Sequence, residues 1–180
     1  MKILSNSREG IIIQLNKPVH GMSVVKVLTG GTTKVTLHKT LAALDPKGER
    51  FGIYKNKMTR GLFSTTQMNT IQSKVGKGKK LKQICMLSPS YGKLNPTQLN
   101  KQQYRHLRAS VEILAKNSIA HLDLPDNVML NTSTGLPVII DFGEGKLNAS
   151  KMETQMDNAA FVTHFKKKSG GSQQLANNIL

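Results

Sequence analysis

The 180-residue chain has one cysteine, no tryptophan, eight aromatic side chains, ten acids and no long apolar run. Each shortage removes a class of protein. A single thiol, Cys85, cannot form an internal disulfide. With no C-x-x-C pair and five scattered histidines, no zinc-ligand spacing is present either. The core must hold without staples, and a domain of this size can do so by removing roughly 70% of its unfolded surface from water. The longest apolar stretches, Ile11–Ile13 and Pro137–Ile140, are far shorter than the ~20 residues of a spanning helix. The opening MKILSNSREG has no signal-peptide apolar core, so neither a membrane span nor a cleavable leader is expected. Scarce aromatics leave a stacking platform for single-stranded nucleic acid poorly supplied.

What is abundant is positive charge. Twenty-six Lys and Arg against ten Asp and Glu give a net charge of +16, a field that favours nucleic acid, a polyphosphate ligand or an acidic protein surface. Of those bases 21 are Lys and five are Arg, whereas base-edge recognition leans on the arginine fork. Nucleic acid is therefore the weaker reading. In so basic a chain an acid is the rarer choice, and four of the ten, Asp123, Asp126, Asp141 and Glu144, lie between residues 123 and 144.

The apolar pattern places these acids in a mixed α+β fold. Ile- and Val-rich segments at 10–15 and 22–28 read as strands, followed by a glycine turn at 29–33 and an alternating strand at 34–38. Asp45-Pro46-Lys47-Gly48 is a turn, and 50–55 a further strand. Ser64 caps a helix to about Val75 with Met68, Ile71 and Val75 on one face. A strand at 81–87 and a loop at 88–96 follow. From Thr97 to about Ser118, Tyr104, Leu107, Val111, Leu114 and Ala115 keep the rhythm of a long amphipathic helix. A strand-turn-strand at 128–140 ends in Asp141-Phe142-Gly143. A helix over 149–165 with Met152, Met156, Ala159, Ala160 and Phe161 as its apolar side precedes a polar tail.

The segment HLDLPDN with DFG, placing Asp123 and Asp141 eighteen residues apart behind a long helix, resembles the catalytic loop and magnesium motif of protein kinases. The resemblance implies a bilobal fold, with an N-terminal antiparallel sheet and one helix at 1–87, a hinge region at 88–96, a reduced helical lobe at 97–165 and a flexible tail at 166–180. It implies ATP and Mg²⁺ as cofactors. Asp123 would orient or accept the hydroxyl proton, Asn127 and Asp141 would hold Mg²⁺, and His121 would support the loop. Gly30, Gly31, Thr32 and Thr33 match a degenerate glycine loop. Lys55, ending FGIYK, matches the strand lysine, and Met86 lies in the strand whose backbone would meet adenine.

Departures accompany these matches. Asp123 and Asn127 are four apart where the kinase pattern has five, and the deleted position is that of the loop lysine. Asp126 then competes with Asn127 as a metal ligand. No acid lies between Lys55 and the hinge to pair with that lysine, leaving Gln67 or Gln72 as neutral substitutes. After Gly143 only 37 residues follow, with no APE motif, so an activation segment is not expected. Small size with H-x-D and DFG resembles the OspG-like minimal kinases that bacteria inject through type III secretion. That resemblance implies a monomeric Ser/Thr protein kinase delivered into host cytoplasm, with a host protein substrate such as a chaperone or a ubiquitin-pathway protein. The alternatives are a pseudokinase that only binds such a partner and, less favoured, a nucleic-acid binder.

Overall fold

A computed structural model describes residues 1–6, 10–19, 21–28, 35–52, 55–58, 62–75, 80–81, 84–94 and 99–168. In chain order the elements are β1 (Lys2–Asn6), β2 (Gly10–Val19), β3 (Met22–Leu28), α1 (Val35–Leu44), β4 (Lys55–Met58), α2 (Thr65–Ser73), β5 (Ile84–Ser88), β6 (Tyr91–Lys93), α3 (Lys101–Lys116), β7 (Ile119–Ala120), β8 (Val128–Asn131), β9 (Leu136–Ile139), β10 (Lys146–Leu147) and α4 (Lys151–Lys168). They form two compact units. One contains residues 1–34 and 53–90, the other residues 35–52 and 91–180. The expected first lobe, 1–87, is thus interrupted, because 35–52 belongs with the second unit.

The first unit is a five-stranded antiparallel sheet in the order β1-β2-β3-β5-β4. Cross-strand partners share a face, and across β2, β3 and β5 two rows of partners are apolar. Ile11, Val27 and Cys85 form one row, and Ile13, Val25 and Leu87 the next. All six are essentially inaccessible to solvent. Ile71, Val75 and Phe63, on and beside α2, belong to the same core. Burial of a side chain of this size contributes about 1.5–3 kcal/mol, so this face holds the unit together. α2 starts where its sequence requires: Ser64 Oγ accepts Gln67 N–H at 3.2 Å and Gln67 Oε1 accepts Ser64 N–H at 2.8 Å, a reciprocal cap.

Of the segment 34–38, read from its alternation as a strand, residues 35–38 in the second unit are instead the start of α1. Leu37 and Leu41, one helical turn apart, are both buried, and this 3.6-residue period outweighs the short alternation. α1 runs into a loop organised by one carboxylate. Buried Asp45 accepts the backbone N–H of Glu49 (3.1 Å), Arg50 (2.7 Å) and Phe51 (2.9 Å). Of the strand expected at 50–55, Phe51 bridges to Ile139, Lys55 opens β4, and residues 53 and 54 lie outside the described residues. Gly52 donates to Ile139 O at 2.7 Å. A Cβ at Gly52 would lie 2.9 Å from Ile140 Cγ2, so only glycine fits this approach.

The expected loop at 88–96 contains β6, which pairs with β8 of the β8–β9 hairpin. The hairpin turns on Asn131, whose Oδ1 accepts Ser133 N–H at 3.0 Å, and on Gly135 at φ 69°. α3 has a second reciprocal cap, Asn100 with Gln103, and buries Leu107, Val111 and Leu114. α4 corrects the expected apolar side: Met152 and Met156 are 68% and 61% exposed, while Thr154, Asp157 and Phe161 face inward.

Replacing Asp45 with alanine strands three donors at a part-buried loop. At about 1–3 kcal/mol for a buried group left without its partner, we expect urea unfolding to show a loss of about 3 kcal/mol. Ser64→Ala should cost only about 1 kcal/mol. Equal costs for the two variants would contradict the role given to Asp45.

Candidate active site

The loop 121–127 hangs between β7 and β8, and its backbone is unusual: Leu122 has φ 67°, a region a branched side chain adopts only when its surroundings hold it there. The surroundings are on α4. The buried Asp157 carboxylate accepts His121 N–H through Oδ2 and Leu122 N–H through Oδ1, the latter at 3.0 Å. Two consecutive donors meet two oxygens of one side chain, and this fixes the turn.

His121 carries the restraint onward. Its Nε2 lies 2.8 Å from Ile140 O, and its Nδ1 lies 3.3 Å from Asp123 N. A carbonyl can only accept and a backbone N–H can only donate, so the ring is neutral with its proton on Nε2. Burial pushes its pKa below the ordinary histidine value, with the Ile140 hydrogen bond acting in the opposite direction. Phe142 packs on the ring at 4.7 Å between centroids and meets Phe51 edge-on at 6.0 Å. The DFG phenylalanine is thus a core residue beneath the loop. Asp141, half-buried at φ 53°, follows directly on Ile140, whose N–H donates to Asn127 O at 2.9 Å.

Asn127 in turn donates from Nδ2 to both Asp123 O and Asp123 Oδ2, each at 2.8 Å. Hydrogen bonds thus join Asn127 to Asp123 and tie Asn127 to Ile140, the residue before Asp141. The set of hard oxygens, an amide and a carboxylate, suits Mg²⁺. That ion is commonly bound by one or two protein oxygens plus phosphate and water. No group of three or more His, Cys, Asp or Glu positioned to hold a metal occurs among the described residues. A cation here would therefore take its remaining ligands from phosphate and water.

The first unit carries the other sequence-implied residues. Gly30, Gly31, Thr32 and Thr33 lie outside the described residues. Lys55 occupies the β4 register position opposite Leu87. Met86 is buried in β5 with ladder partners on both sides, Lys26 and Asn56. Its main chain belongs to the sheet. The residue that sequence reading passed over is Lys26. It is 7% exposed, at the middle of β3, in the row Ile12–Lys26–Met86 on the face opposite the apolar core. Its signal was a lone charge inside Val24-Val25-Lys26-Val27. Asp157 was also missed, and its signal was the inward 3, 4 spacing of Thr154, Asp157 and Phe161.

No protein-family model matches this chain, and no curated protein does. Among solved structures the chain is similar to the Cydia pomonella granulovirus kinase PK-1, with a TM-score of 0.51 and 18% identity over 82% of this chain and 51% of that one. The likeness shows a protein-kinase-like fold. This chain spans about half the length of that kinase.

Because the His121 pKa is lowered on folding, the unfolded chain takes up the proton first. The stability this ring contributes is present above about pH 6.5, the unfolded value, and is lost as pH falls from there toward the folded pKa. Half-buried His106, also lowered chiefly by burial, has the same sign. We expect the urea midpoint to drop between pH 7 and pH 5, and His121→Gln to flatten the drop. An unchanged slope in that variant would contradict the assignment of a buried neutral ring.

Proposed function

We propose that this chain is an atypical protein kinase that transfers the γ-phosphoryl group of Mg-ATP to serine or threonine of a protein substrate. The observation that carries the reading is the loop of Asp123 and Asn127 tied to Ile140, the residue before Asp141. The Ile140 N–H to Asn127 O bond and the His121 ring on Ile140 O tie the H-x-D loop to DFG. Phosphoryl transfer asks a protein mainly for position and for stabilisation of charge. Asp123 orients the acceptor hydroxyl and takes its proton. Asn127 Oδ1 and the Asp141 carboxylate supply oxygens for Mg²⁺, which neutralises charge on the phosphates when bound. Lys26, the buried cation of β3, joins Lys55 as a candidate for the phosphate-pairing lysine, since a desolvated cation acts through a lower dielectric.

A second reading has its own support. Neither α1, VTLHKTLAAL, nor α2, TTQMNTIQS, contains an acid, so no helix carboxylate there pairs with a strand lysine. A pseudokinase that binds a partner without turnover fits that feature. The wider setting, an OspG-like effector acting on a host protein, rests on the sequence resemblance, and a phosphoproteome comparison of cells holding wild type or Asp141→Ala addresses it.

Incubation with γ-labelled ATP and a cell extract should label protein bands with wild type. Asp141→Ala should abolish the label, and Asp123→Ala should reduce it by about 10²–10⁴. Mg-ATP at 100 times its dissociation constant should stabilise the wild type by about 2.7 kcal/mol. Stabilisation without labelling would favour the pseudokinase, and labelling equal in all three proteins would contradict the roles assigned.

A further inference from the structure

α4 carries its more apolar side outward. A helix turns about 100° per residue, so positions 152, 156, 159, 160 and 163 share about 100° of arc. Met152, Met156, Ala159, Ala160 and Thr163 are all exposed. The opposite side holds Thr154, Asp157 and Phe161, which are buried where α4 packs on α3 and β7. Of those three only Phe161 is apolar, and it meets Tyr104 at 5.8 Å between ring centroids. A surface helix ordinarily turns its apolar stripe to the core, and α4 does the reverse. Single exposed apolar side chains are common. Here, however, three of the five large ones exposed among the described residues, Met152, Met156 and Val162, lie on this one helix. Clustered exposure of this kind marks an interaction surface.

The charges of α4 indicate what covers the stripe. The helix has four lysines, one at 151 and three at 166–168, against two acids. Both acids are engaged. Asp157 is buried with its two oxygens on backbone N–H groups. Glu153 accepts from Lys146 Nζ at 2.8 Å and from the Ser150 N–H at 2.7 Å. The stripe thus runs between two lysine-bearing ends. A second copy of the chain laid along it would set lysine against lysine in either orientation. Helices that lie in a lipid surface insert Trp, Phe or Leu, whereas this stripe offers Met and Ala. Methionine adapts to irregular apolar partners, and Ala159 with Ala160 leaves room for a second helix axis to come close. We propose that the outward stripe of α4 is a docking face for an acidic amphipathic helix of another protein. The apolar side of that helix covers the Met and Ala stripe, and its carboxylates face the lysine-bearing ends. The proposal uses no residue of the 121–127 loop and stands apart from phosphotransfer.

The probe is a helical peptide as long as α4, with leucines at helical spacing and glutamates elsewhere, set against a scrambled peptide of the same composition. Titrated into the full chain labelled with ¹³C at its methionine methyls, the helical peptide should shift Met152 and Met156 and leave buried Met86 unmoved. The scrambled peptide should shift neither at the same concentration. Met156→Glu should weaken binding roughly 10-fold or more, the scale of withdrawing one buried methionine and adding a like charge. Leu4→Glu makes the same change of charge at another exposed apolar residue and should bind as wild type does. Equal binding of the two peptides, equal losses in the two variants, or binding that leaves Met152 and Met156 unmoved would overturn the proposal. So would shifts of those methyls produced by phosphatidylserine vesicles or by raising the protein concentration alone, which would give the face to lipid or to a second copy. Shifts seen with the peptide only after deletion of residues 169–180 would give it to that segment.

Discussion

The arrangement of the candidate site depends on one carboxylate reaching the main chain from beneath it. Asp157 on α4 binds the N–H groups of His121 and Leu122, and this contact holds Leu122 at φ 67°. His121 then bridges to Ile140 O, Ile140 N–H reaches Asn127 O, and Asn127 returns to Asp123. Each link pairs one donor with one acceptor, so the contacts support one another along the loop. A buried acid that is fully engaged in this way is stable, whereas one left half-satisfied is costly.

The same device recurs elsewhere in the second unit. Asp45 binds three N–H groups of the loop after α1. Glu153 accepts from Lys146 and from the backbone and hydroxyl of Ser150 at the start of α4, contacts that hold its carboxyl down at about 2. Asp45 and Asp157 are thus spent on the protein's own backbone, and Glu153 on both backbone and Lys146. The net charge of +16 gives a long-range positive field.

Much of this was legible in the sequence, for identifiable reasons. β2, β3, α2 and α3 combine a clear period with end signals, and Ser64 with Gln67 and Asn100 with Gln103 mark their helix starts. Asp123, Asn127 and Asp141 stood out because they lie in HLDLPDN and DFG behind a long helix. α1 was not legible, since the five-residue alternation K-V-T-L-H hid the Leu37–Leu41 turn. β6 was too short to show a period, and polar β1 has little apolar signal. Met152 and Met156 were expected inside because they are apolar, but the helix turns Asp157 inward, and its partners are backbone groups that no side-chain pattern reveals. Lys26 escaped because a lysine in a basic chain reads as surface, whereas its register between Ile12 and Met86 places it within the sheet.

The central claim is that Asn127 and Asp141 provide the oxygens for a nucleotide-bound cation. Replacing Mg²⁺ with Mn²⁺ makes that directly visible, because the paramagnetic ion broadens NMR signals within a short radius. Titration of ¹⁵N-labelled protein with Mn-ATP should broaden the amides of Asn127, Asp141 and Phe142 first, at sub-stoichiometric metal, and Asp141→Ala should remove the effect. Broadening centred elsewhere, or unchanged in Asp141→Ala, would contradict the account.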